Sequence, residues 1–166
     1  MKKKGQAAME FLMTYGWAIL AVLVVLGALY ALDVFNLKGK TPQTATFPAP
    51  FPNVDQQALV STAGTVQVAL INQKGSTVSI PLTGTASPKS GTSCAATPTI
   101  TGSYINGTTF SAGTNISNGQ KFLLTWACGT TGTAGDSFSS DLSFYYTNTE
   151  TGQTFLQTGT VHGRYQ

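Results

Sequence analysis

Charge is scarce in this chain, with nine Lys/Arg and six Asp/Glu in 166 residues. Lys2, Lys3 and Lys4 account for the whole formal excess of +3, because from Gly5 onward six cations face six anions. That leaves no basic stripe for nucleic acid and no electrostatic pull on an acidic substrate. Histidine occurs once, at His162, and cysteine twice, at Cys94 and Cys128, without CxxC spacing. A usual zinc shell cannot be built from that set. No nucleophile motif surrounds a serine, the glycines fall at turns rather than in a phosphate cradle, and Asp55, Asp136, Asp141 and Glu150 are scattered. The sequence therefore argues against an enzyme and calls for no cofactor. Asp136 and Asp141 with Asn148 and Glu150 form a conceivable weak calcium set, solvated loop carboxylates being the simpler reading.

What is present is one long apolar run. Phe11 to Leu32 holds no charged residue, and its 22 positions match the roughly 20 needed to cross a membrane, whereas a secretory signal has an apolar run of roughly 7–15. Three lysines precede it, which orients its N-terminus toward the cytoplasm and the rest of the chain outside. Glu10 stands one residue before the run. It can be read as a first-turn carboxylate complementing the helix dipole for about 0.3–1 kcal/mol, or as a group at the lipid headgroups.

The neighbouring residues suggest something further. Lys-Lys-Lys-Gly followed by Gln-Ala-Ala-Met-Glu-Phe-Leu resembles the class III signal peptide of archaeal type IV pilins, with Ala8 where Ser and Thr14 where Leu is often found. The resemblance covers the first fifth of the chain. It implies that a prepilin-type signal peptidase cuts between Gly5 and Gln6, so that Glu10 becomes the fifth residue of the mature subunit. It also implies a homopolymer joined through N-terminal helices, pilus assembly machinery in the membrane, and a cell-surface filament that adheres to surfaces. Glu10 then has a partner, the new amine of Gln6, on the same or a neighbouring chain. If Gln6 cyclises, the Thr14 hydroxyl at i+4 is the alternative donor. Two other readings remain open: a low-abundance pilin-like or single-pass anchored binding domain, and an archaellin-like motility subunit, whose start QAAMEF resembles less.

Four parts follow: a leader at 1–5, a hydrophobic helix at 6–37, a Pro-rich linker at 38–53 and an extracellular head at 54–166. The helix is expected to run from Gln6 to about Val34, with Lys38–Gly39–Lys40 as a stop. Gly16, Ala21, Gly27 and Ala28 allow close helix approach or local bending, and Gly27 with Ala31 forms a small-xxx-small pair, although small residues are common in any spanning helix. Pro42, Pro48, Pro50 and Pro52 suggest an extended spacer. Beyond it, TVQVALI, STVSIPL, PTITGSYI, KFLLTWAC, DLSFYYT and TFLQTGTV read as short strands. Asn72–Gly75 and Asn148–Gly152 suit hairpin loops. The fold class is therefore α+β: a long hydrophobic helix, then an antiparallel β-sandwich of immunoglobulin type.

In a domain outside the cell, Cys94 and Cys128 point to one disulfide, the alternative being two buried thiols. Asn106-Gly107-Thr108 and Asn115-Ile116-Ser117 are glycosylation candidates of a kind that Thr/Ser-rich chains also generate by chance.

Overall fold

The computed structural model describes residues 3–32, 43–89 and 93–166. Two compact units divide the chain, Met1–Gly39 and Lys40–Gln166.

The first unit is one helix, α1, Lys3–Ala31. It begins three residues before Gln6, the start expected from the sequence, because lysines are good helix formers and an established helix propagates through a single glycine for about 1 kcal/mol. Its last turn closes with the Leu32 N–H donating to Ala28 O at 2.9 Å. The expected extension to Val34 and the stop at residues 38–40 lie outside the described residues. The 29-residue helix is roughly 43 Å long.

The second unit consists of two antiparallel sheets over one core. In chain order the strands are β1 (Thr44–Thr46), β2 (Asn53–Ser61), β3 (Thr65–Ile71), β4 (Val78–Ile80), β5 (Ala86–Pro88), β6 (Thr99–Tyr104), β7 (Thr109–Phe110), β8 (Thr114–Ile116), β9 (Lys121–Ala127), β10 (Ser137–Asn148) and β11 (Thr154–Arg164). One sheet has the order β1-β11-β10-β4-β8, with β5 also on β10, and the other β2-β3-β9-β6-β7. The α+β class read from the sequence is what the chain adopts.

Alternation explains the inner faces. Val66, Val68 and Leu70 of β3 are buried and lie opposite Trp126, Leu124 and Phe122 of β9, equally buried. Leu142, Phe144 and Tyr146 of β10 face them from the other sheet, and the Trp126 Nε1–H donates to Ser143 O at 3.3 Å, tying the layers together.

Two expectations are corrected. Residues 43–53 are not a spacer: they supply β1, and Ala45, Phe47 and Phe51 join the core. Phe47 stacks on Trp126 at 6.0 Å between centroids, and Phe51 meets Tyr146 edge-on at 4.7 Å. The prolines space apolar residues into the core; the part of the linker at 38–42 lies outside the described residues. Second, Asn72–Gly75 does not close a hairpin, since β3 and β4 belong to different sheets. Asn72 is 0% exposed. Its Nδ2 donates to Ser76 O at 2.9 Å and to Ile116 O at 3.0 Å, and its Oδ1 accepts the Lys74 N–H, so the segment is a crossover held from inside. Asn148–Gly152 does join a hairpin, with Thr147 opposite Thr154.

The sheet edges are short or irregular. β1 and β8 have three residues each and β7 has two. The nine-residue β2 has a register break between Asn53 and Ala58, an exposed Asp55, and Val60 O occupied by the Gln166 N–H at 2.9 Å.

Cys94 and Cys128 are joined, with Cα atoms 4.3 Å apart and a sequence separation of 34. Replacing both with alanine is expected to lower stability by about 3–4 kcal/mol, as for a constrained loop of that size. Urea unfolding with and without reductant measures this: the wild type should lose the same amount on reduction and the variant nothing.

Candidate functional site

α1 carries the first candidate. Met9–Ala31 is long and apolar enough to cross a membrane, and none of it is buried. Trp17 is 73% exposed with Met13 beside it, and Phe11, Ile19 and Leu23 are exposed on other faces. A helix apolar on all faces suits lipid or a bundle of other helices. Gly16 and Gly27 sharpen the point. A Cβ added at either would meet nothing within 4 Å. Each glycine costs about 0.8–1 kcal/mol against alanine in a helix, with no return inside this chain. Shallow grooves run between side chains, one lined by Tyr15, Ala18, Ile19, Val22 and Leu23.

Gly5 and Gln6 lie within the helix, and Glu10 follows one turn after Gln6. The first turn of α1 contains no acidic residue, so Glu10 falls beyond the turn where a dipole acts. The Thr14 hydroxyl donates to the Glu10 backbone carbonyl at 3.0 Å, which spends it on the main chain and not on the carboxylate. The carboxylate is exposed.

No protein-family model, curated protein or solved structure matches the chain.

In the second unit, the two sequons sit in different backbones. Asn106 is exposed in the turn between β6 and β7, and its Oδ1 accepts the Thr108 N–H at 3.1 Å, beside Gly107 at φ +86°. Asn115 is the middle residue of β8, paired with Ser79. A turn presents its asparagine to an enzyme without breaking a ladder, and a paired strand does not. Protein isolated from its source is expected to carry glycan on the Asn106 peptide and none on the Asn115 peptide, as read by mass spectrometry.

The scattered acids stay scattered. Asp136 Oδ2 accepts the Thr133 N–H before β10, whereas Glu150 lies in the turn after it, where Asn148 Oδ1 accepts its N–H. Among the described residues no three His, Cys, Asp or Glu gather, and the calcium set of Asp136, Asp141, Asn148 and Glu150 is not assembled. A half-open cleft of about 230 Å³ between Ala45, Thr46, Phe47, Pro52 and Asn53 contains no ionisable side chain.

Residue patterning alone carries little sign of the feature on the outer face of β10 and β11. Facing pairs are bonded rung by rung: Thr147 with Thr154 at 2.9 Å, Ser143 with Thr158 at 3.0 Å, Thr160 donating to Asp141 at 2.6 Å, and Ser139 with His162 Nδ1 at 2.8 Å. Between the first two rungs lie Tyr145 and Leu156. Lys89 pairs with Asp141 at 3.1 Å. The Thr160 hydroxyl chiefly, opposed by burial and assisted by Lys89, holds the Asp141 carboxyl below the usual range. Around the end of the same hairpin, burial raises Tyr146, and Lys74 Nζ sits 4.7 Å over the Phe155 ring. Alternating Ser/Thr in DLSFYYT and TFLQTGTV is the only trace of this ladder in the sequence, and it is easily taken for plain solvated strand.

Proposed function

We propose that this chain is the structural subunit of an extracellular filament of the type IV pilin kind, synthesised with the leader 1–5 and assembled through its N-terminal helix. The observation that carries the reading is an exposed apolar span, Met9–Ala31, in a helix whose first residues are the Lys-Lys-Gly and Gln-Ala-Ala-Met-Glu-Phe motif itself. A single-pass anchor accounts for the hydrophobicity. It does not account for a carboxylate at Glu10 or for two helix glycines with no use inside the chain. A bundle of identical helices accounts for all three, since small residues admit close neighbours and a fixed charge pair sets axial position.

On this reading the peptidase cuts between Gly5 and Gln6, the helix is first stored in the cell membrane, and the β unit is displayed outside, where a disulfide persists. We read that unit as an immunoglobulin-like sandwich. In support stand the paired antiparallel sheets and a core tryptophan, Trp126, two residues from disulfide-bonded Cys128. Filaments sheared from source cells and analysed by N-terminal sequencing provide the test. This chain should dominate them and begin at Gln6 or its cyclised form; filaments lacking it, or a chain still carrying Met1–Gly5, would sink the proposal.

A further inference from the structure

We propose that the outer face of the β10–β11 ribbon binds a neutral polysaccharide, with Tyr145 and Leu156 as the platform on which a sugar ring lies. This deepens the surface-contact part of the function above and rests on the β unit alone.

Sugars combine an apolar C–H face with a rim of hydroxyls, and the ribbon offers the matching sequence of rungs. Tyr145 points outward because its neighbours Phe144 and Tyr146 are buried inward. Its cross-strand partner Leu156 is 48% exposed. On either side of this apolar pair is a hydroxyl pair, Thr147 with Thr154 and Ser143 with Thr158. Ser143 is almost covered while Thr158 is exposed, so the inner hydroxyl holds the outer one in place and leaves its remaining lone pairs or proton to a ligand. Successive rungs are about 6.7 Å apart, which makes the platform and its flanking hydroxyls reachable by adjoining rings of one extended chain.

Charge disfavours the main rival. On the face Asp141 and Lys89 are paired with each other and Arg164 donates to Gly135 O, while Lys74 at the hairpin end lies over the Phe155 ring, so a polyanion meets no cluster of cations here. A neutral, hydroxyl-rich partner requires none. The rung beyond the platform, with Thr160 on Asp141, adds a carboxylate acceptor suited to sugar hydroxyls.

The test uses the full chain in detergent micelles, before any assembly, so that failure here leaves the filament proposal standing and failure of that proposal leaves this one. Retention on particles of cellulose, chitin and xylan is measured at low and high salt, with dextran sulfate as the anionic comparison. Retention on at least one neutral polysaccharide, insensitive to salt, is expected. Tyr145→Ala and Thr158→Glu should each weaken it by about tenfold, Tyr145→Phe should keep it, and Leu59→Ser on the other sheet should not alter it. Thermal melting of each variant shows whether the unit is still folded, and Thr158→Glu, an exposed change, serves if Tyr145→Ala is not. The proposal is overturned by no retention on any neutral polysaccharide, by retention only on dextran sulfate, by retention unaffected in folded Tyr145→Ala and Thr158→Glu, or by self-association through this face in place of polysaccharide binding.

Discussion

Cells carrying Glu10→Ala are expected to process the leader normally and to make no filaments. Under the proposed function, processing depends on residues around the Gly5–Gln6 bond, while the Glu10 carboxylate, one helical turn further on, is exposed. On that reading its value arises on assembly, when it enters an apolar bundle. An unpaired carboxylate there is strongly penalised, and removing one partner of a buried pair costs about 3–5 kcal/mol. Alanine at position 10 strands the amine at Gln6 and weakens each subunit addition on the order of a thousandfold. Glu10→Gln separates charge from hydrogen bonding: it should also fail if the partner is a charged amine, and should restore filaments if any donor suffices. Electron microscopy of the cells and the mass of the membrane-held subunit supply the readouts. Abundant filaments from Glu10→Ala, or an uncut leader, would contradict the assignment of Glu10 to assembly.

The second large effect concerns Phe47. Phe47→Ala should destabilise the β unit by about 3–5 kcal/mol, the range for deleting a buried aromatic, whereas a residue in a spacer would cost nothing. The ring is 4% exposed, lies 6.0 Å from Trp126 and 6.4 Å from Phe144, and covers Gly159. A Cβ at Gly159 would stand 2.3 Å from Phe47 Cγ, near the root of the ring, where little give is available. Gly159→Ala should accordingly cost about 1–3 kcal/mol by overpacking. The pair makes a closed test. In the double variant the added methyl occupies part of the space the ring vacates, so the two losses should be clearly less than additive. Urea midpoints of the four proteins in detergent measure it; strict additivity would mean that the ring does not rest on that glycine.

Why the sequence misled at Phe47 is instructive. Pro48, Pro50 and Pro52 carry the local message of an extended chain, and that message is correct as far as it goes, for the backbone there is not helical. What local reading lacks is the alternating partner: Ala45, Phe47 and Phe51 are apolar between prolines, and only the sheets show where they are received. Asn72–Gly75 failed in the same way. Its turn chemistry is genuine, yet a buried Asn72 answering the carbonyls of Ser76 and Ile116 redirects the chain to the other sheet. By contrast, β3 and β9 were legible almost to the residue, because strict alternation on a strand with one buried face is a purely local signal. β10 extends further than its apolar letters because Ser140 is buried among them, with its hydroxyl donating to Ser87 O. In the candidate site, Gly5, Gln6 and Glu10 were legible as a linear motif. The hydroxyl ladder was not, since cross-strand partners are set by register and register has no expression in either strand alone.

The abbreviated margins of the two sheets acquire a meaning if copies of this protein are held side by side at high local concentration. A nearly uncharged β unit in that situation has little repulsion to keep neighbours apart, and long open strands would template sheet growth from one copy into the next. Edge strands two or three residues long, and a β2 interrupted by its register break, give an incoming strand few consecutive backbone groups at those margins; the longer run is Thr154–Gly159 of β11, which β1 does not cover. At the short margins crowding can bring these units into contact without fusing them, and the β11 stretch is where pairing between copies would start.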